Sequence, residues 1–458
     1  MYIQNKKKYF VISTIFYLFW LSIILSINTK PDEISLFGTT ITNSINSLRL
    51  VTPLIVSAIF IIFAFFLYSK RDTKFNEKYF SFLYLWLGYF LSQLIAESIH
   101  FNILSIENIY LVILGLGTLS LFFSVSYFKI KIEDFIKILL VIIATVPLFL
   151  VFIFLIQNTI LTNFSLHNLI DSNIAVFNQS TQRITGLSRV IAVANLFFIL
   201  GFLFKSKKEY QKYIYFLLIT ILSVIIISSQ ARGTLLCYFL SLLYLIFFLI
   251  KQKLVKKIKL VFFFIALPII FYLFTQITFI KIIKPIINSN DQEETKTVLE
   301  ELANKRFFLD HSSGRIVIWS NILAKYNYQN IFGYGPQADR KLLSVGTEVW
   351  QQYGNNASNG FFYAFACGGY LGLIFYIIIN IKIFNIVRNL YYIKKFKNNF
   401  YFKLSITYLV FFLIRQFFEN SFSLFSIDFL IVISSLAILA NYLKDDFKKN
   451  YNFKFLKY

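Results

Sequence analysis

The residues best suited to chemistry in this chain are arginines set at the edges of apolar stretches. Arg232 stands in Ser228-Ser229-Gln230-Ala231-Arg232-Gly233, a break too short to be a loop between two such stretches. Arg415 lies inside an apolar stretch, four residues before Glu419, where the two could face each other along a helix. Arg183, Arg189 and Arg315 each stand just before or at the start of a helical pattern. Guanidinium is a permanently charged, rigid fork matched to phosphate and carboxylate oxygens, and lysine does not reproduce that geometry. The chemistry implied is the holding of an anion. The other reading pairs these arginines with carboxylates such as Asp171, Glu300 and Asp310, or lets them reach to lipid headgroups. Arg306 and Arg340 read as ordinary loop charges.

The elements that must position these residues are membrane helices. The 458 residues are 57% hydrophobic with a mean hydropathy of +0.67, above the apolar share of soluble domains. Apolar runs of spanning length fall near 9–27, 50–68, 79–97, 108–128, 135–156, 190–204, 213–229, 233–250, 260–279, 360–381, 402–418 and 424–442, about twelve in all. The expected fold is therefore an all-α polytopic membrane protein. The basic N-terminal segment leads into the first run without a small-residue cleavage site and reads as a retained signal anchor.

The net charge of +23 comes in short lysine-rich clusters that alternate with basic-poor segments, which marks topology and argues against a nucleic-acid footprint. The alternation puts both termini in the cytoplasm. On that topology eight of the ten arginines (Arg49, Arg183, Arg189, Arg232, Arg306, Arg315, Arg340, Arg415) face out, against seven of thirty-five lysines. The positive-inside rule accounts for the lysines. It does not account for arginine on the side that disfavours positive charge, so an anion site at the outer interface is expected.

Three blocks follow: residues 1–278 with nine spans and a medium outer segment at 157–189, a large outer loop at 279–359, and residues 360–458 with three spans and a basic tail. Loops of that length usually carry function or structure of their own. In the large loop, Asn290 precedes an acidic first turn that opens one helix, and a second starts after Ser312-Ser313 with Ile316, Trp319 and Leu323 on one side. Gly333-Tyr334-Gly335-Pro336 makes a turn. Cys237 and Cys367 sit in apolar runs as packing residues.

Four ordered patterns resemble the O-antigen polymerase and O-antigen ligase superfamily: Arg183-Ile184-Thr185-Gly186; Ser229-Gln230-Ala231-Arg232-Gly233; Ser313-Gly314-Arg315 through Trp319 with Gly333-Tyr334-Gly335; and Asn356-Ala357-Ser358-Asn359-Gly360 leading to Cys367-Gly368-Gly369-Tyr370-Leu371-Gly372. They span roughly residues 180–375. The resemblance implies a GT-C-like enzyme of the bacterial inner (cytoplasmic) membrane with a large late periplasmic loop. It would act on oligosaccharide linked to undecaprenyl diphosphate, with no cofactor, no metal and no nucleotide sugar. Its partners would be membrane lipids and a chain-length regulator protein, not nucleic acid. Arg183, Arg232 and Arg315 would hold the lipid diphosphate, with Arg189, Arg415, Ser358 and Asn359 as further substrate-binding candidates.

Ligases of this superfamily place a histidine before the asparagine of the fourth pattern, as base for the acceptor hydroxyl. Here that residue is Ser358, which has no basic form at neutral pH, and this favours a Wzy-like polymerase of O-antigen or capsular polysaccharide over a ligase. His311 and Glu348 are then the candidate bases of the large loop, while His100 and His167 face outward nearer other loops. Trp350 and Tyr353 are candidates to stack on sugar rings. A flippase or exporter of lipid-linked oligosaccharide would carry its charges at mid-membrane in two related halves. A non-catalytic assembly protein would not depend on individual arginines.

Overall fold

The computed structural model describes residues 77–100, 185–206, 208–228, 232–278, 315–327, 331–344, 357–393, 396, 398–420 and 427–447, with isolated helical residues between 54 and 65, at 113–117 and at 141. Every regular element among the described residues is a helix: α1 (Glu77–His100), α2 (Thr185–Phe204), α3 (Glu209–Ser228), α4 (Arg232–Lys251), α5 (Val255–Thr278), α6 (Arg315–Lys325), α7 (Ala338–Ser344), α8 (Gly360–Tyr391), α9 (Phe400–Arg415) and α10 (Ile427–Phe447). The links α2–α3 and α4–α5 are four and three residues long, and those consecutive helices pack as antiparallel neighbours, whereas α3 packs on α2 and α5 and not along α4. Helix α8 lies on α1, while α9 packs against α10, α4 and α2 and ties the two groups together.

The interior is apolar and aromatic, with a few polar bonds between helices. Trp86 of α1 meets Phe429 of α10 edge-on at 4.5 Å between ring centroids. The Tyr408 hydroxyl donates to the Val193 carbonyl at 3.0 Å, and Asn195 Nδ2 donates to Ser223 Oγ at 2.8 Å. Such bonds fix helix register where apolar packing alone does not distinguish one arrangement from another. Outward, the same helices carry apolar stripes: Tyr213, Leu217 and Ile221 on α3, Leu240, Leu243 and Phe247 on α4, Ile374, Ile381 and Phe384 on α8. A water-soluble bundle would bury such stripes or break them with charge.

Two helices among the described residues, Gly233–Lys251 and Gly360–Tyr391, are long and apolar enough to cross a membrane, and Ser188–Phe204 is a shorter apolar helix. Together with the exposed stripes these fit a membrane protein. The helices lie on the expected runs from 79–97 and from 190–204 onward. The runs near 9–27, 50–68, 108–128 and 135–156 lie outside the described residues apart from isolated positions, as do the basic tail, the segment 157–184 and the acidic helix after Asn290.

The cations sort to opposite ends of the bundle. At one end of α9, buried Lys403 donates to Gln252 Oε1 at 2.9 Å and stands 4.0 Å from the centre of the Phe248 ring, while Lys257 stands 3.7 Å from that of Phe204. Helix α9 has 16 residues, about 24 Å at 1.5 Å per residue. At its far end lies Arg415. The separation of lysine from arginine in the sequence is therefore a separation in space along α2, α4 and α9.

Helix α8 is broken at Gly369, whose φ of 62° and ψ of −154° lie outside the helical region. The turn Gly333–Gly335 fills the break. Tyr334 N and Gly335 N donate to the carbonyls of Ala366 and Cys367 at 2.9 Å each, and Tyr370 N donates to the Ile331 carbonyl at 3.0 Å. Gly333 and Gly335 sit at φ of 74° and 85°, and a Cβ on Gly335 would run into the backbone and carboxylate of Glu97. These glycines are required both by conformation and by close approach. The turn anticipated at Gly333–Pro336 is thus a plug that satisfies backbone groups freed by a kink.

The expected helix after Ser312-Ser313 is present as α6, but its inner face differs from the one anticipated. Ile318 and Ile322 are buried, whereas Ile316 is 63% exposed. Because α6 starts at Arg315, the face turned to α8 is set by Trp319, whose indole stacks on Phe362 at 5.1 Å and donates to the Ala357 carbonyl at 2.8 Å.

Candidate anion site at one end of the bundle

Three arginines from three helices converge on two carboxylates. Asp428, in the first turn of α10, is fully buried and lies between Arg189 (Nη1–Oδ1 3.1 Å) and Arg415 (Nη1–Oδ2 2.5 Å). The side chains of Arg189 and Arg415 are 17% and 4% exposed, so these guanidiniums are fixed by a partner that has itself left water. A buried carboxylate of this kind is tolerated only when paired. Two cations for one acid leave the trio positive.

Arg315, the first residue of α6, points into the same region. Its Nη2 lies 4.0 Å from Glu419 Oε1, and the two side chains are 23% and 29% exposed. The guanidinium carbon is 5.9 Å from the Phe418 ring centre. Arg189 also lies in the electrostatic field of Arg415 and Glu419, which makes one cluster of the two groups. The described side chains Arg189, Arg315 and Arg415 against Asp428 and Glu419 give three positive charges to two negative, a net +1.

Arg232 is placed by its backbone, as the first residue of α4. Its neighbour Gly233 abuts the cluster: a Cβ there would stand 3.2 Å from Phe418 Cβ and 3.7 Å from Arg315 Nη2. As the first residue of α4, Arg232 thus stands at the same end of the bundle as Arg189, Arg315 and Arg415. Three arginine side chains distant in sequence meet there, with the backbone of Arg232 close by.

The pairing of Arg415 with Glu419 anticipated from their spacing is replaced. Beyond Arg415 the helix tightens: Phe417 N bonds to the Ile414 carbonyl at 3.2 Å and Phe418 N to the Arg415 carbonyl at 2.8 Å. Glu419 N still bonds to the Arg415 carbonyl at 2.9 Å, so the backbone keeps the two residues in register and only the side-chain partners change. Glu419 meets Arg315 of α6, and Arg415 takes the buried Asp428 of α10. An isolated carboxylate within the apolar run 424–442 was the signal that could have disclosed Asp428.

The fourth pattern borders this cluster. Ser358 adopts a left-handed φ of 46°, and Asn359 caps α8, its Oδ1 accepting from Phe361 N at 2.8 Å and Phe362 N at 3.2 Å. The same residue grips the turn after α9. Asn359 Nδ2 donates to the Phe417 carbonyl at 3.1 Å, Asn359 N to Asn420 Oδ1 at 3.2 Å, and Gly360 N to the Gln416 carbonyl at 2.7 Å. Buried Asp339 of α7 completes the frame, its Oδ2 accepting from Ala357 N at 2.8 Å and Asn420 Nδ2 at 3.3 Å. Asp339, Gln416 and Asn420 were not singled out in the sequence, because their partners lie on other segments.

Arg183, His311, Glu348, Trp350 and Tyr353 lie outside the described residues, as do Asp171, Glu300 and Asp310. His100 lies beside the glycine plug, its ring 4.9 Å from that of Tyr334. Cys237 and Cys367 are free and buried, as packing residues should be. Burial also pushes the Tyr326 phenol above its ordinary pKa where it lies against Tyr334 and Phe365, so that ring is part of the apolar footing of α6.

No curated protein and no solved structure matches the chain. One family does: residues 216–377 match the model of the O-antigen ligase family. That stretch holds Arg232, the short break before it, Arg315, the glycine plug and the Asn359 cap. Over these residues the chain is similar to the O-antigen ligase family.

Proposed function

We propose that the chain is a membrane glycosyltransferase that polymerises undecaprenyl-diphosphate-linked oligosaccharide at the outer face of the inner membrane. A growing saccharide leaves its diphosphate carrier for a hydroxyl at the nonreducing end of another lipid-linked repeat unit. The observation that carries this reading is the convergence of Arg189, Arg315 and Arg415, with Arg232 beside them, on one end of the bundle with a surplus of positive charge. Fixed guanidiniums at a partly dry boundary would stabilise the charge that develops as the sugar–phosphate bond breaks.

The roles divide by exposure. Arg415 is consumed by Asp428 and positions its neighbours. Arg315 is partly open, loosely paired and stacked over Phe418, and is the residue best placed to turn to a diphosphate. Arg189 is intermediate, held from one side by Asp428 and reaching solvent on the other. Arg183, outside the described residues, would join from just before α2.

The reading as a ligase, with lipid A–core as acceptor, is favoured by the description of the matching family. Ser358 in place of a basic residue favours the polymerase. Deleting the gene and resolving surface polysaccharide on a gel separates them. Single repeat units on an intact core are the expected result for a polymerase, and long chains accumulating on the lipid carrier would instead indicate a ligase. Unchanged polysaccharide would overturn both.

A further inference from the structure

From the geometry of the turn after α9, we infer that Glu419 takes the proton from the acceptor hydroxyl. The inference rests on the proposed glycosyl transfer. Three observations single out this carboxylate. Among the described acids of the cluster it alone reaches solvent: Asp428 is fully buried between two guanidiniums, and Asp339 is buried within backbone and Asn420 hydrogen bonds. Its grip on Arg315 is loose, at 4.0 Å. And its turn is bonded through Gln416, Phe417 and Asn420 to Asn359 and Gly360, next to Ser358. Glu419 therefore lies between the arginine cluster and the segment that the sequence leaves without a base.

The groups facing it are Arg315 of α6, with Arg189 of α2 and Cys237 of α4 within electrostatic reach. An acceptor hydroxyl that attacks needs a base within reach to take its proton. Carboxylates serve this purpose in inverting glycoside chemistry, where one deprotonates the attacking oxygen. In the step inferred here, the acceptor oxygen bonds to the anomeric carbon and the bond from that carbon to the diphosphate oxygen breaks. The electron pair departs with undecaprenyl diphosphate, and the hydroxyl proton passes to Glu419. Neutralising Glu419 releases Arg315 as the diphosphate gains charge, so one guanidinium serves both ends of the transfer.

The test uses full-length protein, Glu419→Gln, with turnover of the host's own lipid-linked repeat units in isolated membranes and binding of undecaprenyl diphosphate measured separately. Turnover is expected to fall by about 10²–10⁴-fold. Binding is expected to stay level or tighten, because the substitution removes a competitor for Arg315. In Glu419→Ala, added formate is expected to restore part of the turnover. Turnover within threefold of wild type would overturn the inference. So would parallel loss of turnover and binding without formate rescue, since that is the result for a carboxylate that only holds Arg315 in place. Wild-type protein that fails to bind undecaprenyl diphosphate would instead overturn the transfer reading itself, and the inference with it.

Discussion

Replacing Asp428 by asparagine tests how the arginine cluster is held. The substitution keeps the shape and removes one charge, leaving Arg189 and Arg415 without their shared partner at 3.1 and 2.5 Å. Two unit charges about 4 Å apart attract by about 4 kcal/mol at an effective dielectric of 20. Desolvation offsets much of that gain in the intact protein, but removing one partner exposes the penalty in full, typically about 3–5 kcal/mol. Asp428→Asn should therefore destabilise by about 3–5 kcal/mol. Arg415→Met should cost less, because Asp428 keeps Arg189. The double variant should then be less destabilised than the sum of the singles by about 1–3 kcal/mol. Reversible unfolding of the detergent-solubilised protein against increasing mole fraction of a denaturing detergent reads all four corners of the cycle. Additivity within about 0.5 kcal/mol, or an Asp428→Asn protein as stable as wild type, would refute the view that this carboxylate holds the two guanidiniums.

Other consequences can be measured in the same preparations. Arg232→Lys and Arg315→Lys should each abolish long-chain product while membrane insertion and abundance stay at wild-type levels; full-length polysaccharide from either would sink the diphosphate clamp. Gly335→Ala places a Cβ against Glu97 at a left-handed φ and should destabilise by about 2–5 kcal/mol, the sum of backbone strain and overpacking, read by the same unfolding titration. At Ser358, with φ of 46°, valine should cost about 1–2 kcal/mol more than asparagine, since branched side chains avoid that region and asparagine tolerates it. Equal stability of the two variants would contradict the left-handed assignment.

Much of the framework was legible in the sequence because it depends on local rules. Apolar runs bounded by polar breaks specify helices, and the short links of α2–α3 and α4–α5 specify antiparallel neighbours. The start of a new helix at Arg232 was readable for the same reason, and so was the turn at Gly333–Pro336. What that turn does was not readable. Its docking into α8 depends on a kink at Gly369 within a run that reads as continuous helix.

Sequence by itself determined that arginines collect at one end of the bundle, away from the lysines, because charge at a membrane boundary is sorted segment by segment. Only the tertiary structure decided their partners. Local spacing offered Glu419 to Arg415, but Arg415 is taken by Asp428 of α10 and Glu419 meets Arg315 of α6. Asp428, unremarked in its apolar run, became the buried counter-ion of two arginines because α2, α9 and α10 meet there. A buried charge must find an opposite charge within a few ångströms. Which one it finds is fixed by helices brought together from distant parts of the chain.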